Sequence, residues 1–156
     1  MQFVPTTASS VQAESDEILT KTVVIHFYPN SFDLSKVVVK NVNGKVLEEL
    51  YDPNVNFVVE EVGKLAGQYG AARIVIEGHT DASMKGQVPD SSVKELALNR
   101  ANAVKTSLIK KFPTLPANQF SANGLGWDRP ADPADPLNHA KNRRVEIKVY
   151  PLEATK

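Results

Sequence analysis

The sequence predicts a two-layer α/β (α+β) sandwich, a mixed β-sheet with its helices on one face, in β-α-β-α-β-β order with an inserted hairpin. Three observations point there. Runs rich in β-branched and aromatic residues, such as KTVVIHFY (21–28) and RRVEIKVY (143–150), read as strands. Two longer segments repeat apolar residues at the three- and four-residue spacing of a helix. Helical and extended segments alternate along the chain, separated by glycine, proline and asparagine.

Residues 1–19 are small, polar and acidic without periodicity, and are expected to form a flexible linker. The strand at 21–28 comes next and PNSFDLS breaks it. KVVVKNVNGKVLEELY (36–51) holds Asn43-Gly44 between two valine-rich arms, a hairpin signal because both turn residues need positive φ. Asp52 is placed to cap a helix with Pro53 at its first position, and Val55, Val58, Val59, Val62, Leu65 and Ala66 form its apolar stripe up to Gly70. AARIVIEG (71–78) is a short, mostly apolar strand. Asp90 or Ser91 is expected to cap a second helix that runs to about Phe112, with Pro113 as the stop. QFSANGLG (119–126) reads as a strand entering a glycine-rich loop, followed by a proline-punctuated segment with one helical turn near 136–141. The last strand, 143–150, alternates strictly. One domain spans about 20–152, and 153–156 form a tail.

Composition narrows the function. Lysine plus arginine equals aspartate plus glutamate at 18 each, so the basic surplus that phosphate binding needs is absent and nucleic acid is not the expected partner. No cysteine is present, which excludes disulfides and thiolate metal sites. No apolar run is long enough to span a bilayer as a helix. The N-terminal residues lack the basic start and apolar core of a signal peptide, and the chain reads as a fragment of a longer protein.

Two arginines are oddly placed. Arg100 lies in the stripe Val93, Leu96, Ala97, Arg100, Val104, Leu108 of the second helix. Arg143 begins the last strand on the face shared with Val145, Ile147 and Val149, while Arg144, Glu146 and Lys148 share the other, where Arg144 is expected to be solvated. Buried charge needs a partner, either a structural ion pair with Asp81 or Glu77 or a ligand. Asp81 follows the carboxyl end of the 71–78 strand, where open α/β sheets tend to bind ligands; an aspartate that merely shapes its loop is the plainer reading. His79 and Asp81 lack metal-ligand spacing with His26 or His139, Glu77 with Asp81 is a weak glycosidase pattern, and no phosphate loop or Ser-His-Asp order is legible. No catalytic residue, metal or cofactor is therefore expected. Trp127 reads as a loop plug against the core.

RIVIEGHTD, LALNRANAV, GLGWDRP and NRRVEIKV, in that order, resemble the OmpA-like C-terminal domain shared by OmpA, Pal and MotB proteins, over roughly residues 22–150. The resemblance implies a non-catalytic domain of the periplasm and cell envelope that anchors a larger protein to peptidoglycan by gripping the diaminopimelate of the stem peptide. It assigns the ligand-binding aspartate to Asp81 and the helix arginine to Arg100, with Arg143 and Asn30 as further contacts and Thr80 and Leu96 beside them. An aspartate and an arginine across a gap complement the ammonium and carboxylate on one diaminopimelate carbon. The chain departs from the family pattern at Val93 and Ala97, where the family carries Asn and Ser, and in the hairpin at 36–51. Those departures raise an alternative, a protein–protein interaction domain with weakened wall binding that meets other envelope proteins through the hairpin.

Overall fold

The computed structural model describes residues 21–69 and 73–150, so the expected linker and tail lie outside the described residues. Its elements are β1 (Lys21–His26), β2 (Val37–Val42), β3 (Lys45–Leu50), α1 (Val55–Tyr69), β4 (Arg73–His79), α2 (Asp90–Lys111), a 3₁₀ turn (Ala117–Gln119), β5 (Phe120–Gly126), α3 (His139–Asn142) and β6 (Arg144–Tyr150). The main sheet has the order β1-β6-β4-β5, while β2 and β3 form a separate two-stranded ribbon. Antiparallel pairing joins β6 to β1 and to β4, and β4 runs parallel to β5, so the sheet is mixed.

One face of that sheet is the core. Val23, Ile25, Ile74, Ile76, Phe120, Val145, Ile147 and Val149 meet Val55, Val59 and Val62 of α1 and Ala101, Val104 and Leu108 of α2. Burying such a side chain contributes roughly 1.5–3 kcal/mol, so these two stripes dominate the stability of the sandwich. Close contact between α2 and the sheet needs glycine beneath it. A Cβ at Gly78 would overlap the Ala97 carbonyl, and one at Gly124 would meet the Lys94 carbonyl.

Local details differ from the expected boundaries. α1 begins at Val55, two residues beyond Pro53, because the Asp52 carboxylate accepts from the backbone N–H of Asn54 (2.9 Å) and of His26 (2.8 Å). Asp52 thus holds residues 52–54 in a turn and ties it to the end of β1. α2 begins at Asp90 without a side-chain cap; instead Asp90 pairs with Lys94 one turn on (3.1 Å). Asn43 and Gly44 take the positive φ values the hairpin requires, 53° and 81°. Trp127 is half-buried outside the core cluster, with the Lys85 ammonium 5.9 Å from its ring centre.

The sheet's other face corrects the reading of Arg144. That residue is 3% exposed, donating to Glu146 (2.7 Å) and to the carbonyls of Asn142 and Arg129. The 127–136 loop returns to this face, which strand alternation alone does not reveal.

Candidate functional site

A cavity of about 390 Å³ opens beyond the carboxyl end of β4. Of the residues singled out in the sequence, Asn30, Thr80, Asp81, Leu96 and Arg100 line it, and Arg143 reaches it through Asp81. Met84, Val88 and Val93 supply an apolar wall beside the charged groups.

Arg100 is 1% exposed, and its guanidinium is held by backbone. Nε donates to the Ser31 carbonyl (2.8 Å), Nη1 to the His79 carbonyl (2.9 Å) and Nη2 to the Tyr28 carbonyl (3.3 Å). Tyr28 to Ser31 form a tight turn closed by the Ser31 N–H (3.2 Å to the Tyr28 carbonyl), with Pro29 inside it and Asn30 at φ 54°. The arginine therefore fastens that turn, and Asn30 with it, to the end of β4. Five N–H donors are available on a guanidinium, so two remain after these three bonds. Among the described residues no carboxylate forms an ion pair with Arg100; burial pushes its pKa down to about 10, a shift the Asp81 charge opposes.

Asp81 is instead paired with Arg143 at 3.2 Å. Its other carboxylate oxygen accepts from the N–H (2.9 Å) and hydroxyl (2.6 Å) of Ser83. The loop-shaping role is thus real, and it coexists with a place on the cavity wall. Burial alone would raise the Asp81 pKa, but the hydrogen bonds from Ser83 and Arg143 outweigh it and hold the carboxyl below its ordinary value. Arg143 precedes β6; its Nε donates to the Phe27 carbonyl (3.0 Å) and its Nη2 to the Tyr51 hydroxyl (3.1 Å). Thr80 Oγ1 is buried with no hydrogen-bond partner among the described residues.

Sequence reasoning missed Ser83, Tyr51, Met84 and Val88. An Asp-x-Ser turn signal was present for Ser83; Tyr51 is 92 residues from Arg143 and left none. The two carboxylates read as a weak glycosidase pattern are engaged separately, Glu77 with Lys148 and Asp81 with Arg143.

Fold and cavity together define an α/β sandwich that presents a ligand-sized pocket with an apolar wall at a strand's carboxyl end, faced by one buried guanidinium and one ion-paired aspartate. The chain belongs to the OmpA family, whose model matches residues 42–144. Outer membrane porin F of Pseudomonas fluorescens is 34% identical over 119 residues, which cover 76% of this chain and 31% of the porin. Among solved structures, the peptidoglycan-associated lipoprotein of Burkholderia pseudomallei superposes with a TM-score of 0.56 at 19% identity, over 81% of this chain and 88% of that one. The periplasmic domain of Helicobacter pylori MotB gives 0.56 at 22%, over 87% and 89%. The cell wall anchor of the Pseudomonas aeruginosa T6SS gives 0.50 at 20%, over 74% and 88%. At these identities the likeness to solved structures is one of fold. No helix among the described residues is long and apolar enough to cross a membrane.

Proposed function

We propose that this chain is a non-catalytic peptidoglycan-binding domain, extending over about residues 20–152, that tethers a longer protein of the cell envelope to the wall. It grips the diaminopimelate of the stem peptide from the periplasmic side. The observation that carries the proposal is Arg100: a buried guanidinium with two spare donors and no carboxylate partner among the described residues, on the wall of a cavity. A ligand carboxylate completes that charge. The ligand's ammonium then has Asp81, and Asn30 and the Thr80 hydroxyl offer neutral hydrogen bonds nearby. Leu96 and the Met84–Val88 side receive the aliphatic chain between the two ends. The names of similar proteins, a peptidoglycan-associated lipoprotein and a cell wall anchor, support the same ligand class.

The hairpin favours a second reading, contact with other envelope proteins. Val39 and Val46 are 64% and 68% exposed on a ribbon outside the main sheet. Cosedimentation with purified sacculi separates the two. Wall binding predicts that the protein pellets with the sacculi, that Asp81→Ala stays in the supernatant, and that no soluble fragments are released. Equal pelleting of both proteins would remove Asp81 from the site.

A further inference from the structure

The face of the sheet turned away from α1 and α2 carries a second cluster that the proposed wall contact does not use. Register sets Glu77 opposite Glu146 and His79 opposite Arg144 on β4 and β6. The His79 imidazole is 1% exposed, and neither of its nitrogens has a hydrogen-bond partner among the described residues. Buried polar groups in native proteins are rarely left so. A carboxylate oxygen from each glutamate and a His79 nitrogen all lie within 4.8 Å of one another. We propose that Glu77, His79 and Glu146 form a binding site for a divalent transition-metal ion of the zinc class. One imidazole nitrogen and two carboxylate oxygens leave a coordination position for water, a donor set that suits zinc and its neighbours better than magnesium or calcium, which prefer oxygen alone.

Lys148 supplies the present cation. Its ammonium lies 2.9 Å from Glu77 Oε1, as an ion pair out of line for a hydrogen bond, and 3.9 Å from Glu146 Oε1. The side chain is 22% exposed, so its flexible stem can carry the charge out to solvent when a metal takes its place. Arg144 does not need to move. It holds Glu146 through Oε2 at 2.7 Å, which orients the carboxylate and leaves Oε1 for the ion. Its charge, together with that of nearby Arg129, makes the site weaker than a closed structural zinc site. Burial first, and then the Arg144 charge, hold the His79 pKa down at about 4.

Calorimetric titration of the whole chain with zinc chloride tests the site. The wild type binds one equivalent. Glu77→Gln and His79→Gln each weaken binding by about tenfold or more, in the range typical of lost metal-site groups. Lys148→Met, which removes the competing cation, tightens it by about tenfold. An unchanged thermal midpoint in Lys148→Met shows that its gain of affinity belongs to the folded site, and Glu77→Gln covers the case in which His79→Gln does not fold. Zinc bound equally well by wild type and by Glu77→Gln, or no binding by either wild type or Lys148→Met, would overturn the proposal.

Discussion

Arg100 shows how far a single residue is legible. Its helical spacing put a charge inside an apolar stripe, which announced burial and a special role. Its actual partners, the Tyr28, Ser31 and His79 carbonyls, were invisible because two of them lie 69 and 72 residues away in sequence. The same limit applies to Asp81, whose ion partner is Arg143 and not Arg100. Arg100→Met should lower stability by about 2–3 kcal/mol, read as a drop in thermal midpoint, because three carbonyls, the buried one of His79 among them, lose a charged donor. Arg100→Lys should not restore it, since a single ammonium lacks the planar fork that spans all three. Asp81 gives a pH dependence. Its carboxyl is held below the ordinary value, so its stabilising effect is complete above the unfolded pKa of about 3.9 and is lost as pH falls through the lower folded value. Thermal melts should therefore lose stability below about pH 4, with a shallower acid slope in Asp81→Asn.

At the scale of elements, period and turn chemistry carried most of the information. The hairpin followed from Asn43-Gly44, and both helices followed from their stripes. The start of α1 was displaced because Asp52 bonds to Asn54 and His26 at once, a tertiary contact that no local pattern encodes. Arg144 was misjudged for a related reason: alternation assigns a face but does not say whether a loop returns to cover it. Gly78 lets the backbone of α2 approach β4, with the Ala97 carbonyl where a Cβ would sit. Gly78→Ala should cost about 1–3 kcal/mol as α2 is pushed off β4, measured by chemical denaturation. Because Arg100 rides on α2, the same variant should also weaken ligand binding.

For the whole molecule, the arrangement separates a rigid sandwich from an appended ribbon. The Lys36 carbonyl accepts from the Tyr51 N–H at 2.8 Å, so the ends of the hairpin already meet. Replacing residues 37–50 by a short glycine linker should preserve the thermal midpoint within a few degrees and leave wall binding intact, provided Tyr51 remains to hold Arg143. The sandwich and the convergence of two helices on one face rest on hydrophobic burial, which is why the sequence revealed them; the strand order β1-β6-β4-β5 rests on long-range pairing that no local pattern encodes. The cavity rests on loops joining distant strands, which is why only its anchor residues were foreseen. The central claim is that Asp81 and Arg100 together hold the two charges of diaminopimelate. Calorimetric titration with a muropeptide bearing a free diaminopimelate end tests it most directly. Saturable binding by the wild type, weakened at least about tenfold in both Asp81→Asn and Arg100→Met, is the expected result, in line with the strength of one charge-assisted hydrogen bond. Wild-type affinity retained in both variants would contradict it.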